Sequence, residues 1–217
     1  MSEDPETARQ IAELSLDTRP LLVLDVDDVL MEFVRPFMLF LDAQGLELTL
    51  ATFRLHGNIR DKKTGEALDR EPVSALIDGF FAVQAEWQTP LEGAVGAIAE
   101  LARQAEIVML TAMPHRHRAT RRAHLDRLGF PYPLLTTETA KGPAIRELRG
   151  MTARPVAFVD DIPHNLVSVR AAVSEAHLFH LMALPQMRSL LPPLPEQIEI
   201  VDDWREAEPR IAAALGI

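Results

Sequence analysis

Seven residues able to do acid–base or metal chemistry fall in four short groups: Asp25, Asp27 and Asp28 in LLVLDVDDVL, Thr111 after IVML, Lys141 opening KGPAIREL, and Asp160 with Asp161 in VAFVDD. Clustered carboxylates repel one another, so keeping several ionised at one place requires a cation, and hard oxygen ligands with room for water suit Mg²⁺. With a metal bound, one carboxylate can attack phosphorus while a second, two residues on, carries the proton for the leaving group and later for water. The Thr111 hydroxyl and the Lys141 ammonium would hold phosphoryl oxygens, whose charge must be stabilised during transfer.

Such groups act together only if the fold brings them to one edge. Short apolar runs with β-branched residues predict strands at Pro20 to Asp25, Glu106 to Thr111, Tyr132 to Thr137, Pro155 to Asp160, Ala176 to Met182 and Ile198 to Val201. Segments of helical period lie between them: Leu91 to Gln104, with Leu91, Val95, Ile98 and Leu101 on one face, then 115–130, 141–150 and 163–176. This alternation predicts an α/β fold, a parallel sheet wrapped by helices, whose chemistry sits at the carboxyl ends of the strands. Asp25, Thr111 and Asp160 each end a predicted strand, and Lys141 opens a predicted helix. From about Met31 to Gln88 no buried strand is evident; two helical stretches flank the polar HGNIRDKKTGEALD, which reads as a small, mostly helical cap. Leu184 to Gln197 is proline-rich and reads as a loop.

Composition narrows the function classes. A net charge of −10 and a pI near 5.2 disfavour binding to a nucleic-acid polymer or an anionic membrane. The absence of cysteine removes disulfides, thiolate metal sites and cysteine nucleophiles. The acidic start lacks the order of a signal peptide and no apolar run approaches spanning length, so a soluble, cytoplasmic protein is expected.

In order and strand context, DVDDV, Thr111, Lys141 and VAFVDD resemble the four motifs of the haloacid dehalogenase superfamily over Leu21 to Leu181. The resemblance implies a Rossmann-like parallel sheet flanked by helices, a helical cap inserted after the first strand, and a Mg²⁺-dependent aspartyl-phosphate intermediate. The core would comprise residues 1–30 and 89–217, the cap 31–88. By position, Asp25 would be the nucleophile and a metal ligand, and Asp27 the general acid/base with its backbone carbonyl on the metal. Thr111 would bind phosphate; Lys141 would hold phosphate and steady the nucleophile; Asp160 would ligate Mg²⁺, with Asp161 a ligand or an orienter of one. An acid at Asp27 implies hydrolysis of a phosphomonoester, with phosphoryl transfer the alternative. Asp28 stands where many members carry glycine and reads as a cap on the next turn, the alternative being an extra carboxylate that weakens catalysis.

The capped arrangement implies a small phosphorylated metabolite, a nucleotide or a sugar phosphate. Two other readings use the same residues: a receiver-like phosphoacceptor, disfavoured because the second acidic pair follows Lys141 and the cap has no place in that fold, and a non-catalytic relative that binds a phosphorylated ligand or a partner. His115 and His117 form an H-x-H pair that reads as solvated or anion-facing in preference to metal-binding; His164 could touch substrate or cap its helix, and His177 and His180 read as structural. Phe33, Phe37, Phe40, Phe80, Phe81 and Trp87 read mainly as a cap core, with one or two left to face the crevice.

Overall fold

The computed structural model describes residues 4–15, 17–151 and 153–217; Met1 to Glu3, assigned above to the core, lie outside the described residues. All six expected strands are present: β1 (Leu21–Leu24), β4 (Glu106–Thr111), β5 (Leu134–Thr136), β6 (Val156–Asp160), β7 (His177–Leu181) and β8 (Ile198–Val201). They form one parallel sheet in the order β5-β4-β1-β6-β7-β8. Chain order reverses direction at β1, and such a switch point opens a crevice beyond the carboxyl ends of β1 and β6.

Both faces of the sheet are covered, which is why the strand sequences are continuous apolar runs. In β1, Leu22 and Leu24 join Ile98, Leu125 and Ile211 on one side. Leu21 and Val23 join Ile11, Ile145 and Leu166 on the other. The first side is built by α4 (Ala94–Leu101), α5 (Arg118–Arg127) and α8 (Trp204–Leu215), the second by α1 (Pro5–Ala12), α6 (Lys141–Arg149) and α7 (Pro163–Ala172).

Two of these helices lie outside the segments marked by periodicity. Asp4 caps α1, accepting from the Glu6 and Thr7 N–H groups, with Pro5 in the first turn. Asp203 caps α8, accepting from Glu206 N at 2.9 Å. Both carry the Asp/Pro or Asp-x-x-Glu start signals of a helix, but short apolar stripes make them weak by period alone.

The segment between β1 and α4 contains α2 (Val34–Asp42) and α3 (Arg70–Ala82), as its helical period requires. It also holds an antiparallel hairpin, β2 (Leu46–Leu48) with β3 (Ile59–Asp61), where no buried strand is expected; β3 lies inside the polar stretch and β2 before it. Strands of three residues with one buried side chain each, Leu48 and Ile59, leave no alternation for a sequence window to detect. Phe37, Leu41, Ile59, Val73 and Phe80 form the cap core. Met182, Leu184 and Met187, from the connection after β7, pack into it. That connection, read as a loop, carries a short 3₁₀ helix at Pro185–Leu190. Among the described residues, no helix is long and apolar enough to cross a membrane.

Helix α6 delivers Lys141 to the sheet edge because α6 and α7 approach closely at Gly142. A Cβ there would lie 2.2 Å from the Ser168 carbonyl oxygen, and the Gly142 N–H donates to Ser168 Oγ at 3.1 Å. Gly142→Ala must push α6 off α7. It should cost roughly 1–3 kcal/mol in denaturant unfolding and shift Lys141 with it.

Candidate active site

Asp25 follows β1 directly, its N–H donating to the Val159 carbonyl at 3.0 Å, so its carboxylate lies beside the end of β6. Lys141 Nζ sits 2.6 Å from Asp25 Oδ1 and 2.7 Å from Asp160 Oδ2, with all three side chains buried. Asp160 is fixed further by the Ile162 N–H at 2.8 Å and by Asn165 Nδ2 at 3.0 and 3.1 Å. Asp25, Asp160 and Asp161 each present an oxygen within 4.8 Å of the others.

The electrostatics follow from three buried carboxylates facing one ammonium. Burial pushes Asp25 up to about 7, against the opposing pull of Lys141 and with help from the Asp160 and Asp27 charges. Asp161 is raised well above the ordinary carboxylate value, again by burial first and then by Asp160 and Asp25. Burial would depress Lys141, but Asp160 and Asp25 outweigh it and raise its pKa above the usual lysine value. The donor set fits a hard divalent cation: all oxygen, negatively charged, and short of positive charge.

Asp27 belongs to a different neighbourhood. Its Oδ1 accepts from Gln88 Nε2 at 2.8 Å and from Arg121 Nη1 at 3.0 Å, and its Oδ2 lies 3.4 Å from the Thr111 hydroxyl. Arg121 is fully buried, donates to Gln84 and lies 5.5 Å over the Phe81 ring. Gln88 also donates to the Glu32 carbonyl at 3.0 Å, and its own carbonyl accepts from His124 Nε2 at 3.1 Å. Arg121, Gln84 and Gln88 are the functional positions that sequence reasoning missed. They are ordinary polar residues with no local signal, and only the packing of α5 against residues 84–88 brings Arg121 and Gln88 to Asp27, with Gln84 accepting from Arg121 behind it.

The fold thus brings Asp25, Asp27, Asp28, Thr111, Lys141, Asp160 and Asp161 to one edge of the sheet. Asp25, Asp27, Thr111 and Asp161 line a cavity of about 240 Å³ under the cap, while Lys141 and Asp160 lie behind Asp25. Asp28 has φ 56°, the left-handed conformation that favours glycine, and its buried carboxylate accepts from the Phe33 N–H at 2.9 Å and the Val34 N–H at 3.2 Å. It therefore caps the first turn of α2, five residues along. Burial raises Asp28 to about 7, opposed by those two N–H groups and helped by the Asp27 charge.

The turn that carries these acids is held from behind, where Trp204 Nε1 donates to the Val29 carbonyl at 2.7 Å.

Comparison with solved structures reports the same architecture. A haloacid dehalogenase family hydrolase from Deinococcus radiodurans R1 with bound phosphate and sodium superposes with a TM-score of 0.58 at 15% identity, over 91% of this chain and 97% of that one. The chain has the haloacid dehalogenase fold. D,D-heptose 1,7-bisphosphate phosphatase from B. bronchiseptica, complexed with magnesium and phosphate, gives 0.53 at 12% identity over 90% and 98%. A haloacid dehalogenase-like protein of unknown function from Agrobacterium tumefaciens gives 0.60 at 13% over 91% and 99%. No family model matches the sequence. No curated protein matches it.

His115, His117 and His180 take structural places in this fold, whereas His177, expected to be structural, does not. His115 bridges Asp4, at 3.0 Å, and Thr136, at 2.7 Å, while His117 and Arg116 both meet Asp78 on α3 and so join the core to the cap. Both are anion-facing, and neither belongs to the carboxylate cluster. His180 is buried and donates to the Asp161 carbonyl at 2.9 Å; His164 and His177 are exposed, and His164 does not line the cavity.

Two outcomes follow. Asp28→Ala loses the α2 cap and places a Cβ residue at positive φ without a carboxylate to hold it. Unfolding should show a loss of roughly 1–3 kcal/mol, and Asp28→Gly, which relieves the backbone, a smaller one. For Asp4, burial acts upward but is outweighed by the Glu138 and Thr7 N–H groups and the His115 charge, holding it down at about 2, below the ordinary 3.8. A folded pKa below the unfolded one gives stability that is present above the unfolded value and lost as pH falls through the folded one. The advantage of the native protein over Asp4→Ala should be present at about pH 5 and shrink from about pH 4 to 2 in chemical denaturation.

Proposed function

We propose that the protein is a Mg²⁺-dependent phosphatase that hydrolyses a small phosphomonoester through an aspartyl-phosphate on Asp25. The observation that carries this reading is the parting of the two acids after β1. Asp25 is turned to Lys141 and the carboxylate cluster, and Asp27 to Arg121, Gln88 and Thr111. Two acids in unlike surroundings can divide nucleophilic from acid–base work. Solved proteins of this fold that carry phosphate, or magnesium and phosphate, support the substrate class.

Asp25, Asp160 and Asp161 would hold the cation, together with the Asp27 backbone carbonyl. When bound, Mg²⁺ supplies positive charge to the carboxylates and to the phosphoryl oxygens. Asp25 attacks phosphorus as the ester P–O bond breaks, and Asp27 gives its proton to the departing alcohol oxygen. Water then attacks the phosphorus of the aspartyl-phosphate, losing a proton to Asp27 and freeing Asp25 with release of inorganic phosphate. Thr111 would hold a phosphoryl oxygen, and Lys141, which does not itself line the cavity, keeps Asp25 aimed and sets its positive charge beside the phosphoryl group that Asp25 takes up. Arg121 and Gln88 fix the Asp27 carboxylate, and the cap excludes bulk water.

Phosphate release should require Mg²⁺, cease with chelator, and fall roughly a thousandfold or more in Asp25→Asn and in Asp27→Asn. Release that survives either chelator or Asp25→Asn would overturn the reading.

A further inference from the structure

The cavity above the carboxylates has two chemically different ends. At the sheet edge it is lined by Asp25, Asp27, Asp161, Thr111 and Asn165. Asp28 lies beside them, and elsewhere the walls are mostly apolar. The loop between β2 and β3 contributes Leu50, Phe53 and Leu55, with Leu48 from β2 itself. Ile77 and Phe81 come from α3, and Met187 from the short helix after β7. Phe33, at the start of α2, faces Phe81 with ring centroids 5.8 Å apart.

Among the described residues, two polar side chains, Thr52 and Arg54, line the cap end. Thr52 is held in place, its hydroxyl accepting from Asn58 Nδ2 at 2.6 Å and keeping one O–H to donate. The same Asn58 amide donates to the Arg54 carbonyl at 2.6 Å, and the Asn58 carbonyl accepts from the Thr49 N–H at 2.8 Å. Buried Asn58 thus fixes the loop from within and leaves its leucines and phenylalanine turned to the cavity. Arg54 is exposed at the rim.

Resting on the phosphatase reading, we propose that the leaving group is a small apolar alcohol or phenol, one ring or an alkyl chain of similar size, seated among Leu50, Phe53, Leu55, Ile77 and Phe81. A sugar or glycerol moiety in this chamber would find only Thr52 and Arg54 at the cap end, and each further hydroxyl would be stripped of water without a partner, at roughly 1–3 kcal/mol apiece. An apolar group gains about 25 cal/mol for each Å² it buries. A volume of about 240 Å³ is small beside the roughly 300–1,000 Å³ of drug-sized sites, which disfavours a nucleoside on size as well as on its ribose hydroxyls.

The test compares two non-hydrolysable phosphonates, benzylphosphonate and 2,3-dihydroxypropylphosphonate, by calorimetry on the Mg²⁺-loaded protein, for the native chain, Leu50→Asn and Ile77→Thr. Benzylphosphonate should bind at least tenfold more tightly with a negative heat-capacity change, and either folded variant should bring the ratio close to one. Equal or tighter binding of the diol, or a ratio that both variants leave intact, overturns the proposal. Turnover of benzyl phosphate and glycerol 1-phosphate separates the two readings. The binding preference without Mg²⁺-dependent release from either ester sustains the apolar chamber and overturns the phosphatase. Faster release from the glycerol ester, by kcat/KM, sustains the phosphatase and overturns the apolar chamber.

Discussion

Lys141 is the interaction on which the site depends. Asp25 and Asp160 end neighbouring strands, and their carboxylates are buried together with that of Asp161. Charges of one sign in a low-dielectric edge cannot stay close without a partner. Lys141, itself fully buried, lies within 2.7 Å of both Asp25 and Asp160 and supplies the protein's own counter-charge. One ammonium against three carboxylates leaves the edge short of positive charge, a shortage that a bound divalent cation would answer.

The architecture around Lys141 serves to hold that balance. The switch point at β1 lets its acids meet the end of β6. Helix α6 can start close enough because Gly142 lets it lie against Ser168 of α7. Asn165 and the Ile162 N–H, at the start of α7, hold Asp160 from the other side. On the far side of β1 the cap is tied to the same turn, through Asp28 beneath α2 and through Gln88 and Arg121 on Asp27. The residues that enclose the cavity are thereby linked to the residues that would do its chemistry.

The cap carries the chemical asymmetry. Its aromatic side chains form largely a core of their own: Phe37, Phe40 and Phe80 pack within about 6 Å of one another, and Trp87 joins Phe40. Phe33 and Phe81 are shared between that core and the cavity wall. Burial of the cap core and shaping of the chamber are thus one set of contacts, and a change at either ring alters both.

Much of this protein is set by local pattern. The six strands were legible because a strand buried on both faces must be continuously apolar, and the site acids because each ends such a strand: Asp25, Thr111 and Asp160 needed only their position. The helix of Lys141 was legible by period, but its meeting with Asp25 across more than a hundred residues rested on fold resemblance until the sheet order placed it. Tertiary structure alone decided the rest. The β2–β3 hairpin is too short to carry an alternation, and the apolar chamber draws on β2, its loop, α3 and the connection after β7. Nothing local marks Arg121 or Gln88, which reach Asp27 only when α5 packs against residues 84–88. Sequence encodes chemistry that is local to one element, whereas substrate shape and the surroundings of a proton depend on which distant elements touch.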